Sequence, residues 1–252
     1  MTVANNSEKT PCKRRLFLLS ADLLIPLCLL TLVSLLFNMF PWDIQLQSRV
    51  YTTGIGWHYG DAKWVKLLYN YGNIPALLVA ISSLIIFILG YRKQQLIRYR
   101  KMSLYLILVL VIGPGLIVNS VFKDNWGRPR PRDIVEFGGK YQYEAPLQID
   151  RSSPGKSFPC GHATMGFYFY AIGFILRSRH RYLSSIIMLL SSLYGSAIGL
   201  ARVLQGGHFV SDVVWAGSLI FLCSYILWRV IKVDHTPFSP FIEYEKPQKI
   251  GK

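Results

Sequence analysis

Apolar residues in this chain neither alternate nor mark out one stripe of a helix; they come in long unbroken runs. Residues 16–39, 74–90, 102–122, 163–176, 183–201 and 213–232 are dominated by Leu, Ile, Val, Phe and Ala. A helix needs roughly 20 such residues to cross the hydrocarbon core of a bilayer. Most of the runs come close to that; 163–176 needs its flanks to span. The pattern predicts an all-α fold, an integral membrane bundle of six transmembrane helices. A soluble all-α protein with buried core helices would not fill about half its length with such runs. The first run is too long for a signal-peptide core and no small-residue cleavage site follows it, so it is expected to be a retained span.

Charge fixes the expected orientation. The net charge of +15 would suit nucleic acid binding, but the basic residues cluster just outside the apolar runs. Lys13, Arg14 and Arg15 form one cluster; Arg92, Lys93, Arg98, Arg100 and Lys101 a second; Arg177, Arg179 and Arg181 a third. With a cytoplasmic amino terminus all three fall on the cytoplasmic side, as do Arg229, Lys232 and the tail lysines. That is the distribution of the positive-inside rule, with both termini cytoplasmic and no nucleic acid partner. The expected organisation is a cytoplasmic segment 1–15, a membrane domain 16–233 and a cytoplasmic tail 234–252. Trp42, Trp57, Trp64, Trp126, Tyr141 and Tyr143 fall in outward loops, where interfacial aromatics are expected. Asp22 and Pro26 interrupt the first run; Asp22 lies near its cytoplasmic end and can reach the interface or pair with a neighbouring helix. Of Cys12, Cys28, Cys160 and Cys223, only Cys160 clearly faces the oxidising side, so no disulfide framework is indicated.

Two outward loops are long. Residues 40–73 mix aromatic and polar side chains, with a short interfacial helix expected from Val65 to Tyr71. Residues 123–161 are rich in Arg, Lys, Pro and Gly, and a loop of that length is usually functional or disordered. Three segments at outer helix ends carry the candidate chemistry. They are Lys123-Asp124-Asn125-Trp126-Gly127-Arg128-Pro129-Arg130-Pro131, then Ser157-Phe158-Pro159-Cys160-Gly161-His162, then Arg202 through Gly207-His208 to Asp212.

Lys123, Arg130 and Arg202 give three permanent positive charges with almost no carboxylate near them in sequence. Arginine matches phosphate oxygens in pairs and lysine acts as a point charge. His162 is expected to begin the fourth span, where free N–H groups favour an anion, and Gly161 permits close backbone approach. His208 and Asp212 share a helix face at i,i+4; a carboxylate there can orient one ring nitrogen and leave the other to act as nucleophile. His162 can then protonate the leaving oxygen. Taken singly, an interfacial Lys or Arg is more often a snorkelling anchor, a His at a helix start a cap, and a His–Asp pair structural. All six together in this order, each at an outer helix end, point to phosphoryl transfer, which needs positioning and charge stabilisation above all. Arg128 competes with Arg130 for the first-segment role and Arg132 is a weaker rival; either is a further phosphate contact or only a solvated charge. A zinc site is disfavoured because the three cations would repel the ion, so no metal or cofactor is expected. Ser157 lacks a recognisable catalytic frame.

These segments resemble the signature of the type-2 phosphatidic acid phosphatase superfamily: Lys-x6-Arg-Pro, Pro-Ser-Gly-His, and Ser-Arg-x5-His-x3-Asp. Cys160 stands where the family has serine, and Ala201 replaces the serine before the arginine. The resemblance covers roughly residues 75–230, and the first 70 residues contribute little to it. It implies that Lys123, Arg130, Arg202 and the backbone near Gly161 hold a phosphate. It also implies that His208 becomes phosphohistidine oriented by Asp212, and that His162 is the general acid. The family's serine hydroxyl usually helps hold the phosphate; a thiol donates more weakly, leaving the backbone N–H of residue 160 as the expected contact. Ile112-Gly113-Pro114-Gly115, Val121-Phe122-Lys123-Asp124, Trp126 to Pro131, Pro159-Cys160-Gly161 and Gln205 to Phe209 are further similar to bacterial lipid A 4′-phosphatases. That implies a Gram-negative inner membrane enzyme with a periplasmic site acting on lipid A. Phosphatidylglycerophosphate, phosphatidate and undecaprenyl pyrophosphate remain alternative substrates. A lipid phosphotransferase and a non-catalytic lipid-binding or transport protein are the rival classes.

Overall fold

The computed structural model describes residues 10–233, with side chains from Ala21 onward. The first helix, α1, runs Thr10–Met39 through Pro26. A short helix α2 (Trp42–Ser48) follows, then a two-stranded hairpin of β1 (Tyr51–Thr52) and β2 (Gly56–Trp57). Helix α3 (Lys63–Tyr71) leads almost directly into α4 (Ile74–Leu89), and the Tyr194 hydroxyl donates to the Gly72 carbonyl exposed at their junction. The short interfacial helix expected from Val65 thus starts two residues earlier and continues the second span. Helix α5 (Arg100–Leu110) widens into a π-helical stretch, Val111–Lys123, that carries Pro114. Helices α6 (Gly161–Phe167), α7 (Tyr170–Leu176), α8 (Arg181–Leu204) and α9 (Val210–Ile231) complete the described chain. The tail 234–252, the first nine residues and the side chains of Lys13, Arg14, Arg15 and Cys12 lie outside what is described.

Among the described residues, five stretches are long and apolar enough to cross a membrane: Ala21–Met39, Lys63–Leu89, Gln94–Lys123, Arg181–Leu204 and Val210–Ile231. The fourth apolar run differs from expectation. It is broken between α6 and α7, where Ala171 and Ile172 bond back three residues, to Tyr168 and Phe169, tightening one turn. This pair is the inner pillar of the bundle. Ala163, Thr164, Tyr168, Ala171 and Phe174 are all fully buried. Small residues let it close on its neighbours: a Cβ on Gly166 would come within 2.5 Å of Gly195 in α8. A helix enclosed by protein need not be as long or as greasy as one facing lipid.

The alternation of helix directions sorts the two ends. At one end the Arg177 guanidinium donates to both oxygens of Asp22 at 2.8 Å, and Lys101 donates to the Lys232 carbonyl at 2.9 Å. Asp22 therefore pairs with a neighbouring helix, the second of its two expected options. At the opposite end the 40–73 and 123–161 loops fold together as a cap. Several aromatics expected at a membrane interface are instead inside this cap. Trp126 stacks on Phe158 with centroids 4.7 Å apart, Trp57 packs against Tyr51 and Phe137, and Tyr143 meets Phe209 edge-on. Trp42, Trp64 and Tyr141 are exposed. Cys28, Cys160 and Cys223 are free thiols.

Candidate active site

The three sequence segments meet at the capped end, and backbone hydrogen bonds lace them together. Arg132 N–H donates to the Gly206 carbonyl at 3.1 Å, joining the first segment to the third. Ser157 N–H reaches the Arg128 carbonyl at 2.9 Å, and Cys160 N–H reaches the Asp212 carbonyl at 3.1 Å. The last bond corrects the expectation that the Cys160 N–H is free for a phosphate: it is used to dock the entry of α6 onto α9. The first-turn N–H groups of α6 have no acceptor four residues back.

Two glycines lie close beside the cations. A Cβ on Gly161 would lie 3.0 Å from the Lys123 ammonium nitrogen, and one on Gly207 would lie 2.3 Å from an Arg202 guanidinium nitrogen. Arg202 donates to the Gln205 side chain and lies 4.6 Å over the Tyr69 ring. That same ring stacks on His162, centroids 5.0 Å apart and planes 26° from parallel. Arg202, Lys123 and Arg130 all lie close enough to act electrostatically on His162. Among the described residues, none of the three cations has a carboxylate within ion-pair distance. The Nε groups of Arg130 and Arg202 are buried without a hydrogen-bond partner. Buried donors of that kind are costly unless a ligand accepts from them. No three His, Cys, Asp or Glu side chains among the described residues are grouped so as to hold a metal.

Asp212 sits at the third position of α9 and accepts the Phe209 N–H at 2.9 Å, which caps the helix start. Its other bonds make it a hub: Ser157 Oγ donates at 2.6 Å and Arg128 Nη1 at 2.5 Å. His208 Nδ1 lies 3.4 Å from the Asp212 carboxylate, within ion-pair distance but without a hydrogen bond to it. His208 is buried, and Gln47 in α2 holds its backbone carbonyl at 2.7 Å. Burial alone would lower the His208 pKa; the Cys160 sulfur and the Asp212 carboxylate beside it prevail and raise it. Correspondingly, burial opposes ionisation of the Cys160 thiol, and His208 more than offsets that and lowers its pKa. The Cys160 sulfur and the His208 ring thus act on each other electrostatically, a coupling in addition to the backbone role expected of residue 160.

Arg128 departs furthest from the sequence reading. It is neither a phosphate contact nor a solvated charge: it is fully buried, and its donors are taken by Glu144, Ser211, Asp212, Asp43 and Tyr143. Burial works against its charge, and Asp212 and Asp43 beside it outweigh that and hold its pKa above the ordinary arginine value. Asp43, Gln47 and Tyr69 are side chains at this site that the sequence did not single out, and Ser157, expected to lack a catalytic frame, serves instead as a hydrogen-bond donor to Asp212. The first three lie in the first 73 residues, so that region contributes far more than the resemblance suggested. A carboxylate between Trp42 and Ile44 carries no spacing signal by itself.

The arrangement is a cationic cradle facing a His–Asp pair and a second histidine, which is equipment for phosphate ester chemistry. Comparison with known proteins agrees. Residues 104–235 match the model of the PAP2 superfamily. The chain is similar to a lipid A 4′-phosphatase of Francisella tularensis subsp. novicida, 34% identical over 203 residues, 77% of this chain and 89% of that protein. A lipid A 4′-phosphatase of Rhizobium leguminosarum is 32% identical over 120 residues, covering 46% of this chain and 50% of that one. Phosphatidylglycerophosphatase B of Bacillus subtilis is 30% identical over 133 residues, 51% and 59% of the two chains. A crystal structure of a transmembrane PAP2-type phosphatidylglycerolphosphate phosphatase from Bacillus subtilis aligns over 85% of this chain and 98% of its own, with TM-score 0.41 and 18% identity. This multi-pass membrane protein, a lipid phosphatase, belongs to the PAP2 superfamily.

Proposed function

We propose that the chain crosses an inner membrane six times and hydrolyses the 4′-phosphate of lipid A at the periplasmic face, through a phosphohistidine on His208. The observation that carries the chemistry is the set of unpartnered, buried guanidinium N–H groups of Arg130 and Arg202 on the side of the bundle that holds the His208–Asp212 pair. Likeness over most of the chain to a lipid A 4′-phosphatase supports the substrate.

In the proposed reaction Lys123, Arg130 and Arg202 accept the phosphate dianion, with N–H groups at the start of α6. Asp212 faces Nδ1 of His208, which leaves Nε2 to attack phosphorus in line with the leaving oxygen. The P–N bond forms as the P–O bond to the sugar breaks, and His162 gives its proton to the departing oxygen. A protonated ring among three cations is unfavourable until phosphate arrives; the dianion then favours the charged form. In the second half His162 takes a proton from water, the water oxygen attacks phosphorus, and the P–N bond breaks to release inorganic phosphate and neutral His208.

The sixth crossing in this reading is the α6–α7 pillar. It brings both termini to the cytoplasm, with membrane domain 16–233 between segments 1–15 and 234–252. The basic clusters at 92–101 and 177–181 then lie inside, as the positive-inside rule requires. Single cysteines at positions 95 and 140 should label oppositely with an impermeant thiol reagent on intact cells: 140 reactive and 95 protected. The reverse pattern would move the chemistry to the cytoplasm.

The substrate is tested by fragmentation mass spectrometry of lipid A from strains with and without the gene. Deletion should leave an extra phosphate on the distal glucosamine and make the cells more sensitive to cationic peptides, most clearly at low salt. If the 4′ position is identical in the two strains, lipid A is not the substrate. Phosphatidylglycerophosphate, hydrolysed by the Bacillus relative according to its name, is then the first alternative to assay.

A further inference from the structure

We propose that Asp43 and Arg128 form a positioning pair that sets how much of the negative charge of Asp212 is available to His208. The inference rests on the proposed role of His208 as nucleophile and deepens it.

Asp43 lies in the first turn of α2 and is fully buried. Its Oδ2 accepts Arg128 Nη2 at 2.8 Å and also Ser211 Oγ, while its Oδ1 accepts the Ser211 N–H at 3.1 Å. Ser211 directly precedes Asp212, so α2 grips the start of α9 twice, at Ser211 and, through Gln47, at the His208 carbonyl. Arg128 bridges the two carboxylates: Nη1 to Asp212 Oδ1 at 2.5 Å, Nη2 to Asp43. The guanidinium is further fixed by Nε on the Glu144 carbonyl at 2.8 Å and by the Phe209 ring 4.3 Å away. Among the described residues, no hydrogen bond or ion pair joins Asp43 or Arg128 to Lys123, Arg130 or Arg202.

The charge count gives the arrangement its meaning. One buried cation against Asp212 alone would neutralise it and leave little to orient or stabilise a charged His208 ring. With Asp43 taking part of Arg128, the cluster Asp43–Arg128–Asp212 carries one net negative charge, and Asp212 Oδ2 is the oxygen that faces His208. The other charged or titratable groups around His208 are Cys160 and His162 at the start of α6, with Lys123, Arg130 and Arg202 behind His162. Asp43 is the single charged side chain of α2.

The pair therefore acts on His208 in opposite electrostatic senses, which a purely structural role would not. Removing the Asp43 charge disfavours the protonated ring and moves the acid limb of kcat/KM to lower pH. Removing the Arg128 charge moves it to higher pH. The limb belongs to the Cys160–His208–Asp212 cluster as a whole, and ionisation of the substrate is common to all variants, so only differences between variants count.

The experiment measures kcat and KM against pH for the purified full chain with a phosphomonoester lipid. The proteins are wild type, Asp43→Asn, Asp43→Glu, Arg128→Gln, the Asp43→Asn/Arg128→Gln double variant and His208→Ala. We expect limbs displaced by about half a pH unit or more, downward in Asp43→Asn and upward in Arg128→Gln. The double variant returns toward wild type, and Asp43→Glu holds the wild-type limb. At the pH optimum kcat falls about 10- to 100-fold in the neutral variants, part of what acid–base groups supply, with KM nearly unchanged. Limbs that stay put or move the same way in folded Asp43→Asn and Arg128→Gln overturn the proposal. Should Arg128→Gln fail to fold, the Asp43→Asn and Asp43→Glu pair decides it: both limbs must separate as stated. An active His208→Ala would instead remove the nucleophile assignment on which the proposal stands, so the two failures are told apart.

Discussion

His208→Ala is expected to release no phosphate from any lipid substrate, while the protein inserts in the membrane and melts close to the wild-type temperature. Two features of the structure combine to give so large an effect. The imidazole is buried, and in the proposed reaction the other histidine at the site, His162, is already committed to the leaving oxygen. Cys160 is the nearest substitute nucleophile, but its sulfur is favoured as a thiolate by the very histidine that is removed. Without His208 the thiol reverts toward the high pKa of a buried cysteine and loses nucleophilicity. Asp212→Asn should cost about 10²–10⁴ in kcat, the usual range for an acid–base partner, and part of that loss will be structural. Asp212 accepts from Arg128, Ser157 and the Phe209 N–H as well as facing His208, and an amide cannot accept all of these at both ends. Substantial turnover by purified, folded His208→Ala would remove the covalent mechanism.

The parts of this site that could be read in the sequence are those whose spacing is itself physical. Lys123, His162 and Arg202 lie at helix ends on the same side of the apolar runs, and bundle topology brings such positions together. The expected shared helix face of His208 and Asp212 is not formed, because His208 precedes Phe209, the N-cap of α9; the helix entry brings the two near each other instead. The parts that could not be read are held by contacts remote in sequence. Asp43 meets Arg128 from 85 positions away, and Gln47 meets His208 from 161 away. No local pattern distinguishes such a carboxylate from a solvated one. Arg128 shows the same limit from the other side: in sequence it is one of three arginines within five residues, and only the fold decides that it faces inward while Arg130 faces the cradle. The break of the 163–176 run into α6 and α7 was illegible for a related reason. Hydropathy counts apolar residues without knowing whether lipid or protein will surround them, and here protein does. Tyr69 was hidden because its loop reads as interfacial, and its use as a shared face for His162 and Arg202 depends on α3 packing through Val65 onto Ala201 and Leu204 of α8.

The residue that turns Arg128 inward is Gly127, and Gly127→Ala should be among the most damaging single-methyl additions in the cap. Its φ of +81° lies in the left-handed region, where a side chain costs about 1–2 kcal/mol. The larger obstacle is space. A Cβ there would sit 1.7 Å from the Asp150 carbonyl oxygen and 2.7 Å from its carbon, and both are backbone atoms that cannot swing aside. The chain at 127 is also pinned by a bridge to Gly155 and by the Trp126 carbonyl, which accepts the Asp150 N–H at 3.1 Å. To admit the methyl group, the turn segment at 150–155 must move away, taking with it Ser157, whose N–H bonds the Arg128 carbonyl and whose hydroxyl bonds Asp212. Displacing Arg128 from its two carboxylates leaves buried charges unpaired, a loss on the order of 3–5 kcal/mol. The membrane bundle beneath does not depend on these contacts, since its core is built from α5 to α9 around Ala163, Tyr168 and Phe174. The expected outcome is a protein that inserts and resists proteolysis within its helices. It should be cut readily within 123–161 and should lose phosphatase activity by 100-fold or more, roughly what an acid–base group contributes. Wild-type activity with a protease-resistant loop in Gly127→Ala would mean that the cap tolerates a shift at 150–155 without disturbing Arg128.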